Sequence, residues 1–143
     1  MYEDTLAHVE LFTGLGKKDL RLLAQSCRER KYNAGEVLIS QGDTGAGLYV
    51  ITSGKVRITQ ANNPDRAEEE IGTAGAGDVL GEMALLDDLP RSATVIAVDD
   101  VTALLLPVWE FRAVLRNNPD IALHMLATLS RRLRNAEHRT HDR

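Results

Sequence analysis

The sequence predicts an α+β fold in which eight short strands form a closed barrel or jelly roll flanked by helices. From Arg28 to Ala74 the apolar residues alternate with a period of two, glycines act as turn markers, and tight turns are predicted every eight to twelve residues. On both sides of the β region, apolar residues recur at helical spacing instead. Short strands joined by tight turns are typical of closed barrels and jelly rolls.

Length and composition limit the possible functions. The 143 residues have room for one domain, with N-terminal helices in 1–27, the β region in 28–107 and C-terminal helices in 108–143. A net charge of −4 gives no general attraction to nucleic acid or to anionic membranes. The longest strongly apolar stretch, Val101 to Trp109, is far too short to cross a bilayer, and the N-terminus lacks an apolar signal core. We therefore expect a cytoplasmic protein without a membrane segment.

The elements follow in order from these patterns. Two short helices are predicted between Thr5 and Cys27, and the lone Cys27 is expected to be a small buried hydrophobe because it has no disulfide partner. The predicted strands are Arg28–Tyr32, Glu36–Ser40, Leu48–Thr52, Lys55–Gln60, Glu68–Thr73, Val79–Leu80, Ser92–Val98 and Thr102–Leu106.

The stretch from Gly81 to Val95 predicts an anion site. Gly81 opens a short helix-forming run, whose first backbone N–H groups would be unpaired and would attract a phosphate. Arg91 enters a β-branched run and would add a permanently charged, bidentate partner. A phosphate would repel Glu82 unless its carboxylate accepted hydrogen bonds from sugar hydroxyls. Together these residues predict a site for a phosphorylated ribose.

The same stretch resembles the phosphate-binding cassette of cyclic nucleotide-binding domains. The family pattern is Phe-Gly-Glu-(Leu/Met)-Ala-Leu, a short loop and Pro-Arg-(Ala/Ser)-Ala-Thr-Val, and here Leu80 stands where phenylalanine is common. The resemblance implies an eight-stranded jelly-roll barrel with N-terminal helices, a short cassette helix and two C-terminal helices. It also implies a sensor that binds a cyclic nucleotide, cAMP or alternatively cGMP, needs no cofactor and performs no chemistry. The implied ligand-binding residues are Gly81, Glu82, Met83, Ala84, Arg91, Ser92 and Ala93.

The loop from Gly42 to Gly47 also resembles the family, with one departure. The family usually has an aspartate where this chain has Ala46. The missing carboxylate predicts a loop that is braced less rigidly than in relatives.

The C-terminal segment predicts two helices separated by the break at Asn117–Pro119. In the second, from Asp120 to His138, a heptad seam follows steps of four and three through Ala122, Leu126, Leu129, Leu133 and Ala136. The seam either packs on the β region or forms a homodimer contact, as the resemblance to bacterial regulators implies. Movement of this helix is the expected output towards a downstream partner that the sequence does not identify.

The nucleotide base is the part of the ligand least specified by the sequence. By resemblance to catabolite activator proteins, the Thr-Ser pair that contacts adenine in them corresponds to Ala136-Glu137 here, which implies that those contacts are missing. The base would instead meet Arg132, Leu133 or Asn135, or would have no polar partner at all.

Other functions fit the sequence less well. A metal-binding cupin needs histidines on strands, whereas all four histidines lie in predicted helices or the tail. The sequence contains no nucleophile motif that would indicate an enzyme. A haem-binding sensor would need an axial ligand, and the candidate, His124, is expected to face solvent. Because only a short tail follows the last predicted helix, we expect no DNA-binding module in this chain. We expect it to be either a free-standing sensor, which its Met1 start favours, or the ligand-binding part of a larger transcription factor or channel. Loss of nucleotide binding is a further alternative.

Overall fold

The computed structural model of the protein describes residues 2–62, 67–87 and 89–141, without the side chains of Met83, Ala84 and residues 139–141. The predicted turn at Asn62-Asn63-Pro64-Asp65 therefore lies largely outside the described residues. The chain divides into two compact units, residues 26–111 and residues 1–25 with 112–143.

The β unit consists of two antiparallel four-stranded sheets, in the orders β1-β8-β3-β6 and β2-β7-β4-β5. Its strands are β1 (Arg28–Tyr32), β2 (Val37–Ile39), β3 (Gly47–Ser53), β4 (Lys55–Gln60), β5 (Glu69–Gly75), β6 (Val79–Leu80), β7 (Thr94–Ala97) and β8 (Val101–Pro107). Both sheets contribute buried side chains to one core, which follows from the alternation of apolar residues along each strand. That core contains Leu38, Ile39, Tyr49, Ile51, Val56, Val95, Ala97, Val101, Ala103 and Leu105.

All eight predicted strands are present in the predicted order, but several end at other residues. Strand β7 begins at Thr94 and not at Ser92, and β2 is limited to Val37–Ile39. A register shift interrupts the pairing of these two strands. Beyond it the Thr94 hydroxyl accepts a hydrogen bond from the Gln41 amide at 3.0 Å. A side chain thus replaces a backbone carbonyl at this end of the ladder and shortens both strands.

The helical unit contains α1 (Glu3–Ala7), α2 (Lys17–Gln25) and α4 (Pro119–His141), while α3 (Val108–Asn117) continues from the β unit. Helix α4 starts with proline, which suits the first helical position because the missing N–H would be unpaired there. One face of α4 is buried through Ile121, Met125 and Thr128, at steps of four and three. None of the described helices is long and apolar enough to span a membrane.

The heptad seam is not the buried face of α4. Leu126 and Leu133 are 61% and 63% exposed, whereas Met125 is 2% exposed. Both alternatives for the seam, packing on the β region and a homodimer contact, stay predictions. Two apolar stripes run along one helix, and the sequence pattern alone did not indicate which of them packs.

Candidate functional site

Four of the predicted ligand-binding residues line one cavity of about 360 Å³, which we call the cassette cavity. Gly81 and Glu82 lie at the start of a 3₁₀ helix (Glu82–Leu85), where a short cassette helix was predicted. A loop then returns the chain to Arg91 and Ser92 just before β7, so the two halves of the motif face the same space. Among the described residues, the lining consists of Gly81, Glu82, Asp87, Leu89, Pro90, Arg91 and Ser92.

The other three predicted ligand-binding residues are Met83, Ala84 and Ala93. Ala93 is half-buried and does not line the cassette cavity. The side chains of Met83 and Ala84 lie outside the described part of the chain, although their backbone belongs to the 3₁₀ helix. The roles of these three residues in ligand binding stay predictions.

Arg91 is a nearly buried cation at the wall of this cavity. It is 9% exposed, and its Nη2 donates a hydrogen bond to the backbone carbonyl of Gly47. Burial lowers the pKa of Arg91, while the nearby Tyr49 and Asp87 raise it in partial compensation. Because an arginine remains protonated in proteins, the site keeps a fixed positive charge with little competing water.

Two glycines make room for the guanidinium group. A Cβ atom at Gly45 would lie 2.5 Å from Cζ of Arg91, and one at Gly81 would collide with Nη1. Gly81 also has a φ of +74°, a conformation that side chains strongly disfavour. The guanidinium therefore lies between two backbone segments that have no side chains to obstruct it.

Backbone hydrogen bonds tie the Gly42–Gly47 loop to the arginine. The Gly42 amide donates to the Arg91 carbonyl at 2.9 Å, and the Arg91 amide donates to the Asp43 carbonyl at 2.8 Å. At the far end of the loop, the Val108 amide donates to the Ala46 carbonyl at 2.9 Å. These bonds brace the loop in the absence of the carboxylate that Ala46 replaces.

A second, smaller cavity of about 120 Å³ lies on the loop side of Arg91. It reaches the apolar core through Tyr49, which is 6% exposed. Burial is the main cause of the raised pKa of Tyr32, and a side-chain hydrogen bond with Tyr49 is the second cause. Polar groups therefore continue from the arginine into the core. The lining is Leu38, Ile39, Ser40, Asp43, Thr44, Gly45, Ala46, Tyr49 and Arg91.

The proposed base contacts lie in α4, in the other unit. Arg132 donates from Nε to the Glu10 carboxylate at 2.7 Å, and Leu133 and Asn135 are exposed. Their contact with a base stays a prediction.

Cys27 and His124, which were weighed as a nucleophile and as a haem ligand, are both partly buried. Cys27 is half-buried, and burial, with a smaller effect of Glu110, raises its pKa to about 12, so its thiol is a poor nucleophile at neutral pH. His124, which was expected to face solvent, is partly exposed, and its Nε2 donates a hydrogen bond to the Thr13 carbonyl at 2.6 Å. Within the described residues, no group of three or more His, Cys, Asp or Glu side chains could hold a metal ion.

Sequence reasoning missed several residues of the site. Asp87 lies in the loop between the two halves of the motif, where the family pattern prescribes no residue. Tyr49 and Gly47 were assigned only to a strand and a turn. Glycine at 42, 45 and 47 was the available signal, since three glycines in six residues indicate close approach of the backbone to another group.

Comparison with known proteins identifies relatives of this arrangement. The profile described as cyclic nucleotide-binding domain matches residues 29–118. The cyclic AMP receptor protein of Thermus thermophilus is 37% identical over 127 residues, which are 89% of this chain and 58% of that relative. The chain thus spans 58% of the length of this curated relative.

Solved structures give the same result. The N-terminal domain of a transcriptional regulator from Streptomyces coelicolor is 32% identical, with a TM-score of 0.85 and coverage of 96% of this chain and 95% of that one. The regulatory domain of Toxoplasma gondii PKA, crystallised with cAMP, is 25% identical with a TM-score of 0.74, and the match covers 94% of this chain and 49% of that one.

Proposed function

Because the chain belongs to the cyclic nucleotide-binding domain family, we propose that it binds cAMP in the cassette cavity as a regulatory sensor and performs no chemistry on it. The observation that carries the proposal is the buried Arg91, which lines this cavity beside Glu82 and Ser92. A volume of about 360 Å³ lies within the range of small-ligand sites.

Each lining residue has a role that follows from its chemistry. The Arg91 guanidinium binds the cyclic phosphate, since its planar fork matches two phosphate oxygens. Ser92 and Ala93 add a hydroxyl or backbone N–H donors to the same group. Glu82 accepts a hydrogen bond from the ribose 2′-hydroxyl, and Gly81 lets the sugar approach the backbone. The backbone of Met83 and Ala84 completes the phosphate shell.

The first test concerns the sugar. We expect 2′-deoxy-cAMP to bind at least about ten-fold more weakly than cAMP, because a hydrogen bond to a charged group contributes about 1.5–3 kcal/mol. Calorimetric titration of both ligands measures the ratio. In Glu82→Gln the ratio should shrink towards one, whereas Glu29→Gln, an exposed residue of β1 outside both cavities, should preserve it. Equal affinity of the wild type for the two ligands would exclude this role of Glu82.

The base preference is tested by competition between cAMP and cGMP. Relatives that prefer cGMP often carry threonine directly after the cassette arginine, and the Ser92 hydroxyl here could still reach guanine. The proposed contacts Arg132, Leu133 and Asn135 include no Thr-Ser pair for adenine. A strong preference for cGMP would contradict cAMP as the ligand while leaving the phosphate and ribose sites intact.

The proposal extends to the architecture of the chain. Residues 1–143 would form a single nucleotide-binding domain, and the two sheets would be those of a jelly-roll barrel. The strand orders support the barrel, since consecutive strands alternate between the two sheets at every step except β4 to β5, which are neighbours in one sheet. A cytoplasmic location fits a relative of receptor and regulatory proteins.

Helix α4 is the element that we propose transmits binding. Its seam leucines Leu126 and Leu133 are exposed, and exposed apolar stripes on a helix are typical partner surfaces. A homodimer through the seam, or closure of the helix over bound nucleotide, would cover them. The ligand would shift the equilibrium between the two positions of α4 only to the extent that its affinity for the protein differs between them. The downstream partner would recognise the altered surface.

We expect cAMP to change the hydrogen exchange of α4 at Leu126, Leu129 and Leu133, together with the particle mass or the protease sensitivity of Asn117–Pro119. Exchange mass spectrometry and light scattering with and without cAMP measure these effects. Replacing Leu126 and Leu133 by serine should remove the change, whereas Leu123→Ser, equally exposed at 63% but off the seam, should not. Identical exchange and mass in both states would leave a passive binder.

A further inference from the structure

The cassette cavity contains a carboxylate to which the proposed function gives no role. Asp87 lines it together with Glu82 and Arg91. Asp87 Oδ1 accepts a hydrogen bond from the Leu89 amide at 3.2 Å, which fixes the side chain in the loop between the two halves of the motif. The carboxylate thus belongs to the wall of an anion site, where it must repel the ligand's phosphate.

The described wall of the cassette cavity carries more acidic than basic side chains. Among the described residues that line the cavity, Arg91 is the one cation, and Glu82 and Asp87 are both acidic. Burial lowers the pKa of Arg91, and the negative charge of Asp87, after the effect of Tyr49, offsets part of that change, so Asp87 acts on the same guanidinium as the ligand would. A single buried cation beside two acids can neutralise one negative charge of a ligand but not two.

We propose that Asp87 is a specificity-determining residue that rejects doubly charged phosphate monoesters in favour of singly charged cyclic phosphodiesters. The inference rests on the proposed function, because it assumes that the phosphate binds at Arg91. A nucleoside 5′-monophosphate is the monoester that opening of the cyclic ring can produce, and it differs from the cyclic ligand by one negative charge near pH 7. Repulsion of the unwanted ligand is a common route to specificity.

The physical argument gives a quantitative signature. The Coulomb energy between Asp87 and a bound phosphate is proportional to the phosphate charge. Affinity depends exponentially on that energy. If removing the carboxylate raises the affinity for a monoanion by some factor, it should therefore raise the affinity for a dianion by about the square of that factor. A steric effect would have no such dependence on charge.

The experiment uses Asp87→Asn, which removes the charge and keeps an Oδ1 acceptor for the Leu89 amide. Three ligands are titrated at pH 7.5 and low salt: cAMP, 5′-AMP and the methyl ester of 5′-AMP, which has the shape of the monoester with one charge. We expect affinity gains of about three-fold for cAMP and for the methyl ester and about ten-fold for 5′-AMP. Glu29→Gln, the same loss of charge on an exposed strand, should change none of the three affinities measurably.

The outcomes separate the inference from the proposed function. If wild-type protein binds cAMP and Asp87→Asn improves all three ligands equally or not at all, the specificity role of Asp87 is wrong while nucleotide binding stands. A gain for both 5′-AMP and its methyl ester, but not for cAMP, would indicate a steric role and would also overturn the inference. If wild-type protein binds no cyclic nucleotide, the proposed function itself fails.

Discussion

Replacing Arg91 by alanine is expected to weaken cAMP binding by at least about thirty-fold. The side chain is nearly buried at the wall of the cassette cavity, so its charge acts on a phosphate with little screening by water. Truncating one partner of a buried, hydrogen-bonded charge pair typically costs about 2–5 kcal/mol. Isothermal titration calorimetry of wild type and Arg91→Ala measures the difference. Arg91→Lys should lie between them, because it keeps the charge and loses the bidentate fork.

The matched control for this loss is Arg57→Ala. Arg57 is an exposed arginine of β4 that lines neither cavity next to Arg91, and its removal changes the net charge equally. Its cAMP affinity should stay within about two-fold of wild type, since surface charges at a distance are screened by salt. A thermal melt of each variant verifies folding. Undiminished affinity in a folded Arg91→Ala variant would exclude the cassette cavity as the phosphate site.

The order of the strands could be predicted because local signals determine it. The period of two fixes which side chains point inward, and a glycine with φ of +90° at Gly54 supplies the turn between β3 and β4. The pairing of β1 with β8, in which Arg28 lies opposite Leu105, could not be predicted in this way. Alternation identifies the buried face of each strand but not its neighbour in the sheet.

The site was predictable where the chemistry follows a fixed spacing. Gly81, Glu82, Arg91 and Ser92 were identified from the motif, and they line one cavity. The role of Gly45 was not predictable, because it depends on where the Arg91 guanidinium lies after folding. Side-chain placement of this kind is a tertiary property that neither composition nor periodicity encodes.

Gly47→Ala is expected to lower the free energy of unfolding by about 1–3 kcal/mol or more and to weaken cAMP binding at the same time. Gly47 has a φ of +155°, and an added Cβ would collide with the backbone carbonyl oxygen of Leu106 in the paired strand β8. Backbone strain of this kind costs about 1–3 kcal/mol, and a backbone atom cannot move aside as a flexible side chain can. Denaturation by urea, followed by circular dichroism, measures the change in stability.

Binding should suffer because the carbonyl of Gly47 accepts the hydrogen bond of Arg91 Nη2. The control is Gly72→Ala on β5, where φ is not positive and no atom lies within 4 Å of the added Cβ. There the substitution should leave binding unchanged and stabilise the fold by about 0.4–1 kcal/mol, because alanine restricts the unfolded chain more than glycine does. A folded Gly47→Ala variant with wild-type stability and affinity would contradict the close contact between β3 and β8 at this residue. Loss of stability with wild-type affinity in the folded fraction would instead mean that the Gly47 carbonyl does not position the arginine, and that the phosphate alone orders it.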